Sequence, residues 1–297
     1  MSDESPPAAA ISVELSVVMP AFNAASTIGA QLDALQKQHW DSSWEVVVAD
    51  NGSTDTTAAI VSQVAANDQR VRLLDAGDRR GAAHARNAAV AVARGTSIAF
   101  CDADDVVGDN WVAVMGTALR DTPFVTGPQE YTALNEPWLH AVYGARPAVE
   151  LQLFAGIFPF GPTANLGIRR ELFERLGGFD TAIAVYEDLE LCLRAWLDGV
   201  ELQFVPDAIV HYRYRSTLRG LWQQAVTYGA AGPVIARRLV DAGRPGPSRW
   251  HGAKNWLWLV RKLPSLRWQA GRARWVVVAG GSAGRLLGSV RARRLML

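Results

Sequence analysis

An α/β fold with a mainly parallel central sheet, covered by helices on both faces, is what this sequence predicts. Three observations carry it. Short apolar runs rich in Val, Ile and Leu alternate with stretches of helical period through the first hundred residues or so, the pattern of β-α-β units in a doubly covered sheet. Three of those runs end in polar clusters. The composition, 49% hydrophobic and 20% charged over 297 residues, is that of a folded chain long enough for one large domain or two small ones.

Leu15 to Met19 is an apolar run closed by Pro20, a buried strand. Ser26 can cap a helix whose apolar residues Ile28, Leu32 and Leu35 recur at i, i+4 and i+7. Glu45 to Ala49 is a second, Val-rich strand. It runs into Asp50-Asn51-Gly52-Ser53, turn chemistry with a helix N-cap, and a helix through Ile60 and Val64. Val71 to Leu74 is a short strand, Ala82 to Arg94 an Ala-rich helix, and Ile98 to Cys101 the next strand. From Trp111 to about Phe160 the pattern is loose, and Pro159 to Pro162 reads as a rigid loop. Asn165 to Ile168 is a strand, Arg170 to Leu176 a helix, and Gly177-Gly178-Phe179-Asp180 a turn. Asp188 to Leu197 is a helix and Leu202 to Val205 a strand closed by Pro206. Gly243 to Pro247 is a linker-like break. The divisions expected are a flexible tail over 1–12, two halves of one domain over 13–110 and 111–220, and a basic, Trp-rich helical extension over 221–297.

Two cysteines, Cys101 and Cys192, sit in apolar contexts, which suits a reducing compartment. Residues 1–12 have neither the basic nor the apolar region of a secretory signal. A cytoplasmic protein is expected, with no apolar run of the length a membrane span needs. Charge is divided unevenly. From Arg237 onward fourteen Arg and Lys face one acidic residue, Asp241, a balance of +13, so the remainder carries −12. Regions of opposite charge imply different partners.

Ser97 to Asp105 concentrates the chemistry. Its apolar run ends in Asp102, Asp104 and Asp105. Carboxylates crowded at a strand end repel one another unless something positive sits there, and Mg²⁺ takes one or two carboxylates together with substrate phosphates. Asp102 and Asp104 stand at i, i+2 and share a side of an extended backbone. A polar turn with helix-capping aspartates is the alternative. Ligands of doubly covered parallel sheets bind at the carboxyl ends of strands. Pro20-Ala21-Phe22-Asn23, Asp50-Asn51-Gly52-Ser53 and Asp102-Ala103-Asp104-Asp105 are all such ends, so they converge on one rim.

These residues, in this order, resemble the family 2 glycosyltransferases of the GT-A fold. The pattern is Val17-Val18-Met19-Pro20-Ala21-Phe22-Asn23, Gln38, Val48-Ala49-Asp50-Asn51-Gly52-Ser53-Thr54-Asp55, Gly81, Ala85-Arg86-Asn87, Ala93-Arg94-Gly95 and Phe100 to Asp105. Asn165, Arg169, Gly177 to Asp180, Glu187-Asp188-Leu189-Glu190-Leu191 with Arg194, and His211 complete it. The resemblance covers about residues 13 to 216. It implies GT-A architecture, a Rossmann-like, mainly parallel central sheet flanked by helices, here with the C-terminal helical, basic extension. Residues 13–110 would be the nucleotide-sugar-binding half and 111–220 the acceptor-binding and catalytic half.

The resemblance further implies an inverting transfer of a sugar from a nucleotide-diphospho-sugar. Asp104 would ligate Mn²⁺ or Mg²⁺ on the diphosphate. Asp102 would face the ribose and the metal's outer shell, with Ala103 beside it and Asp105 supporting the turn. His211 would be a third protein ligand to the metal, or else a structural histidine on an apolar segment. Pro20, Ala21, Phe22 and Asn23 would wrap the nucleobase and ribose, and Asp50 or Asn51 would read the base edge. The family usually has two aspartates there. Asn51 departs from that, and its amide suits uracil or thymine, favouring a UDP- or dTDP-sugar. Arg86 would reach the diphosphate or pin Asp102. Arg79 and Arg80 read as a solvated face, and Arg213 and Arg215 either meet the diphosphate or are solvated. Asp188 would be the base and Glu187 its support, or the pair would complement a helix dipole. Glu190 and Arg194, at i, i+4, read as a helix-surface ion pair.

The extension mixes Trp250, Trp256, Trp258, Trp268 and Trp275 with Arg and Lys. Such helices suit an anionic membrane interface, which agrees with a lipid-linked or other glycan acceptor and a peripheral position at the inner face of the cell membrane. A basic appendage packed on the acidic core is the alternative; nucleic acid is disfavoured because no recognisable module frames the charge. Gly280-Gly281-Ser282-Ala283-Gly284 fits G-x-S-x-G, but no Asp, Glu or His comes after it to complete a hydrolase triad. The Q-x-x-R-W of processive synthases is missing, which favours single addition. A nucleotidyltransferase would need a Gly-rich loop after the first strand, where Pro20-Ala21-Phe22-Asn23-Ala24 stands. A non-catalytic nucleotide-sugar-binding module is the remaining alternative.

Overall fold

The computed structural model describes residues 13–143, 149–248, 250 and 252–293. The tail expected over 1–12 lies outside the described residues. The first half alternates as its periods demand: β1 Leu15–Ala21, α1 Ile28–Gln36, β2 Trp44–Asp50, α2 Thr57–Asn67, β3 Val71–Asp75, α3 Ala82–Val92 and β4 Ser97–Phe100. Then come β5 Val106–Val107, α4 Trp111–Asp121, β6 Phe124–Thr126, β7 Gln129–Glu130, α5 Pro137–Tyr143, β8 Gln152–Phe154 and β9 Phe158–Phe160. Next are β10 Leu166–Arg169, α6 Arg170–Arg175, α7 Glu187–Leu197, β11 Gln203–Phe204 and β12 Val210–His211. The chain continues in α8 Leu218–Asp241, α9 Ala253–Arg261 and α10 Gln269–Arg291.

Seven strands form the central sheet in the order β11-β6-β10-β4-β1-β2-β3. β1, β2, β3 and β4 are parallel, and β10 runs antiparallel to both β4 and β6. A small sheet, β5-β12-β7, stands beside it. Strand side chains alternate between two apolar layers. Val18, Val47, Ile98 and Phe100 pack with α3, α6 and α7. Val17, Met19, Val46 and Val48 pack with α1, α2 and α4.

Pro20, expected to end the first strand, lies within it opposite Ala49. β4 stops at Phe100 opposite Val18, so past that point β1 has a neighbour on one side only, where a missing N–H is tolerated. The loose stretch after Trp111 in fact opens with a full helix. Trp111, Val112, Met115 and Leu119 of α4 are buried, a helical period present in the sequence. Glu45 fastens the amino end of the sheet, accepting from Ser16 Oγ at 2.9 Å, Arg72 Nη1 at 2.8 Å and Arg94 Nη2 at 2.8 Å. Burial alone would raise its pKa; the hydrogen bonds from Arg94 and Arg72 outweigh burial and pull it down to about 2.

α8 opens at Leu218, where Thr217 Oγ1 caps it by accepting from Gly220 N at 3.1 Å. α10 lies backbone to backbone along α8. A Cβ on Gly229 would strike the Gly281 backbone, and one on Gly284 or Gly288 would strike the carbonyl of Val226 or Ala230. Ser282, of the rejected G-x-S-x-G, is a buried residue inside α10. Arg238 joins α8 to α7 and the turn before it, with Nη2 on Asp180 Oδ2 at 2.6 Å and Nη1 on Glu190 Oε1 at 2.7 Å. α9 buries only Leu259.

Candidate active site

The carboxyl ends of β1, β2 and β4 open on a cavity of about 550 Å³. Its wall holds Pro20, Ala21, Phe22, Asn23, Asn51, Arg86, Asp102, Ala103, Asp104, Glu187 and Asp188. Asp50 and His211, also singled out in the sequence, are not on that wall. A second hollow, about 490 Å³, lies near the other end of the sheet and includes Arg169 and Arg170. Those guanidiniums are engaged by helix-end carbonyls, Arg169 Nε by Leu119 O and Arg170 Nη2 by Ala93 O, each at 2.8 Å.

Ligand oxygens of Asp102, Asp104 and Asp105 lie within 4.8 Å of one another. Gln31 shapes the turn from inside, donating to Asp102 O at 3.0 Å and accepting from Val107 N at 2.9 Å. Asp105 Oδ1 accepts from Arg213 N at 2.7 Å, so it does support the turn, but its Oδ2 is buried with no hydrogen-bond partner. Burial and the Asp102 charge raise the pKa of Asp104; burial and both neighbouring carboxylates raise that of Asp105 well above the ordinary range. Three all-oxygen donors with an orphaned buried oxygen fit a hard divalent cation.

Arg86 of α3 joins the two chemical centres. Its Nη2 donates to Asp102 Oδ1 and its Nη1 to Glu187 Oε1, both at 2.6 Å. Burial pushes its pKa down, but Asp102 and Glu187 outweigh burial and hold it above the ordinary arginine value. α7 begins after Tyr186, which stands in the left-handed region at φ 68° and ψ 24°, a costly conformation for a bulky residue. The turn aims Glu187 and Asp188 at the cavity. Asp188 Oδ2 accepts from Thr163 N at 3.1 Å and Oδ1 from Leu189 N at 2.7 Å. Burial and the Glu187 charge push its pKa up to about 7, the range a general base needs.

The residues expected to meet a nucleotide are engaged differently from expectation. The Asn51 amide donates to Ala76 O at 2.6 Å and Arg79 O at 2.8 Å, and its Oδ1 accepts from Gly81 N at 2.8 Å. Asn51 shapes the 76–81 loop, and its amide is not left free to read a base. Asp50 Oδ2 accepts from Ser53 N at 3.1 Å, while Oδ1 is buried without a partner. Asn23, at φ 49°, accepts from Thr54 N at 2.8 Å. Phe22 stands 52% exposed with the Arg80 guanidinium 4.5 Å over its ring; Arg80 is exposed, as expected, and also lines the cavity. Arg213 and Arg215 also reach the wall, and Arg215 Nη1 lies 3.4 Å from Asp104 Oδ2.

His211 pairs through β12 with Val106, next to Asp105, but its ring is not in the acidic cluster. Its Nδ1 lies 2.9 Å from Glu130 Oε2. The Glu190–Arg194 pair exists at 2.6 Å but is not a surface pair: Glu190 is 2% exposed and also takes Arg238. Gln31, Thr163 and Tyr228 belong to the site and were not singled out in the sequence. Gln31 alone carried a signal, a polar residue on the apolar stripe of α1.

Residues 16–177 match the family described as Glycosyl transferase family 2, more than half of the chain. It belongs to the family 2 glycosyltransferases. Residues 97–283 of the transferase also match Glycosyl transferase family group 2. It is 39% identical over 99 residues to the Escherichia coli UDP-Glc:alpha-D-GlcNAc-diphosphoundecaprenol beta-1,3-glucosyltransferase WfgD, covering 33% of this chain and 36% of that one. To the glycosyltransferase AglE of Haloferax volcanii it is 27% identical over 201 residues, 66% of this chain and 65% of that one. The matches thus span from about a third to just under two thirds of those relatives' length. Among solved structures, the mannosyltransferase PcManGT from Pyrobaculum calidifontis, in complex with GDP-Man and Mn²⁺, superposes with a TM-score of 0.66 at 20% identity, over 93% of this chain and 86% of that one. S. aureus TarS 1–349 in complex with UDP-GlcNAc gives 0.58 at 15% identity, over 95% and 93%. At such identities the likeness establishes the fold, GT-A. Among the described residues of the transferase, no helix is long and apolar enough to cross a membrane.

Proposed function

We propose that this transferase is inverting and metal-dependent, and moves a sugar from a nucleotide-diphospho-sugar to a hydroxyl of a lipid-linked or other cell-envelope glycan. The observation that carries the reading is a carboxylate with its pKa near 7, Asp188, on the same cavity wall as Asp102 and Asp104. Asp188 takes the proton of the acceptor hydroxyl as that oxygen attacks the anomeric carbon. The bond from that carbon to the diphosphate oxygen breaks on the opposite face, its electron pair leaves with the diphosphate, and the configuration inverts. Glu187 supports the base through the charge that raises it, and is itself held by Arg86.

Asp104, Asp102 and His211 would hold Mn²⁺ or Mg²⁺, with the unpartnered Oδ2 of Asp105 alongside. When bound, the ion supplies positive charge for the leaving diphosphate. With Nδ1 of His211 at 2.9 Å from Glu130 Oε2, Nε2 would be the nitrogen offered to the ion, an outer-shell arrangement common at metal-binding histidines. Pro20 to Asn23 and Ala103 wrap the nucleoside, Asp102 lies beside the ribose, and Arg213 and Arg215 meet the diphosphate. UDP or dTDP is the proposed carrier, on the strength of the sequence pattern; the Asn51 amide that suggested it is engaged by Ala76 O and Arg79 O.

Peripheral contact with anionic lipid at the inner face of the cell membrane falls to α9 and the turn after it. Leu257 is 61% exposed, Val260 65%, Leu263 50% and Trp268 56%, among Lys254, Arg261, Lys262 and Arg267. The test of the transfer chemistry is sugar transfer by Asp104→Ala, Asp188→Asn and the EDTA-treated parent. Asp188→Asn should bind donor yet fail to transfer. Undiminished transfer with EDTA and by Asp104→Ala would remove the metal from the reading.

A further inference from the structure

Tyr228 belongs to α8, beyond the residues 16–177 that match the family, yet it lines the same cavity as Glu187 and Asp188. Its ring meets that of Tyr186 nearly at right angles, with centroids 4.9 Å apart and planes at 80°. Tyr186 lines the cavity too and stands two residues before Asp188. The left-handed backbone of Tyr186, costly for a bulky residue, is thus held where two aromatic rings meet on the wall that carries Asp188. The contact leaves Tyr228 39% exposed, so ring surface remains open to a ligand.

The place of Tyr228 is fixed from two sides. A Cβ on its neighbour Gly229 would strike the Gly281 backbone of α10, and one on Gly280 would press on Ala225, one turn before Tyr228. Further along α8, Arg238 holds Glu190, two residues after Asp188. Tyr228 and Asp188 are therefore carried by helices locked to one another, the rigidity that a positioning surface needs.

The chemistry of the wall narrows what it takes. Carboxylates accept from hydroxyl groups, and the negative π face of a tyrosine suits C–H bonds polarised by neighbouring oxygens. Among the described residues no hydrogen bond engages the hydroxyl of Tyr186 or Tyr228. Partial burial, with the charges of Asp188, Asp102 and Glu187, raises the pKa of the Tyr228 phenol, which stays protonated and able to donate. A pyranose has both parts that this wall suits, a C–H face and a hydroxyl edge. A polyprenyl chain offers the carboxylates nothing, and a phosphate would be repelled by them. The donor's diphosphate has its own cations in Arg213 and Arg215 beside Asp104.

We propose that Tyr228, steadied by Tyr186, positions the acceptor: its terminal pyranose lies on the Tyr228 ring, with the reacting hydroxyl turned to Asp188. The assignment rests on Asp188 as the acceptor-side base. It makes the acceptor a glycoside that already bears a sugar, and it gives α8 a share in choosing that sugar.

The test is saturation-transfer-difference NMR of the full-length protein with UDP and Mn²⁺, using methyl α- and β-glycosides of glucose, galactose, mannose and N-acetylglucosamine as probes. At least one should bind, with the strongest transfer on the protons of one ring face. Tyr228→Ala should weaken that binding about tenfold and even out the pattern, for want of the aromatic face. Tyr228→Phe should stay within about threefold of the parent, the loss of one neutral hydrogen bond. UDP affinity should be alike in all three, which also reports folding. Should Tyr228→Ala not fold, Tyr228→Leu carries the test, since it keeps bulk and removes the ring. A glycoside signal lost when UDP-glucose or UDP-GlcNAc replaces UDP puts the sugar in the donor's place and overturns the assignment. Tyr228-dependent binding of farnesol without any glycoside also overturns it, as do glycosides that ignore Tyr228→Ala or a parent that binds none of them. Full transfer by Asp188→Asn would instead remove the base reading, and the binding arms, which need no turnover, are read separately from it.

Discussion

Glu187 at the start of α7 and Asp102 at the end of β4 share one guanidinium, each receiving a 2.6 Å hydrogen bond from Arg86. Arg86→Met would leave the largely buried Glu187 and the partly buried Asp102 without their cation. It should lower unfolding stability by about 3–5 kcal/mol, read by urea denaturation. Arg86→Lys keeps the charge but not the two-headed reach. It should cost less stability and still lower transfer about tenfold, since the acidic loop and the base helix are no longer set against one another.

Asp188 must be ionised to act as a base. With its pKa near 7, kcat/KM should climb through a limb at about pH 7 and drop about tenfold for each pH unit below it. Stability moves the other way. The folded pKa lies above the unfolded value of about 3.9, so the native state holds the proton more tightly, and its contribution is lost as pH rises from about 4 through 7. Asp188→Asn should therefore melt higher than the parent at pH 8 while being inactive, and the two melting curves should converge near pH 4.

Glu45 has the opposite sign. Its folded pKa of about 2 lies below the unfolded value of about 4.3. Its contribution is complete above the unfolded value and disappears as pH falls from about 4.3 to 2. Glu45→Gln should cost about 2 kcal/mol at pH 7, less than for a fully buried pair because Arg72 and Arg94 are partly solvated. Denaturation midpoints of mutant and parent should approach each other at pH 2.

Leu257→Glu with Val260→Glu tests the lipid surface. Both side chains are exposed, so the melting temperature should hardly change. Flotation with phosphatidylglycerol-containing vesicles should fall at least about tenfold, because each apolar side chain that enters a bilayer contributes roughly 1.5–3 kcal/mol. Parent protein should prefer those vesicles to pure phosphatidylcholine. Equal flotation of parent and double mutant would refute the surface.

Period and strand-end chemistry were readable in the chain because they are local. Val17 to Asn23 and Ile98 to Asp105 each carry, within a few residues, both the apolar run and the polar group it delivers. What escaped depends on distant partners. Asn51 looked like a base reader, since nothing at position 51 announces that backbone some 25 residues later will claim its amide. Glu190 and Arg194 had ion-pair spacing, but burial of the pair came from Arg238, 48 residues away. Tyr186 takes a left-handed backbone that sequence reserves for Gly or Asn, so the turn that aims Asp188 was invisible. α4 is different: Trp111, Val112, Met115 and Leu119 spelled its buried face.

Arg238 and the glycine seam decide where this chain can be cut. The break at Gly243 to Pro247 invites truncation, but removing the residues beyond it would strip α10 from α8 and bare a furrow shaped for backbone contact. Cutting ahead of α8 would take Ile235 and Leu239 out of the main apolar cluster and leave Glu190 with Arg194 alone. Neither fragment is self-sufficient. A chimera that borrows α7 and the strands around it should inherit α8 to α10 too, so new acceptors are better sought by exchanging side chains than by swapping modules.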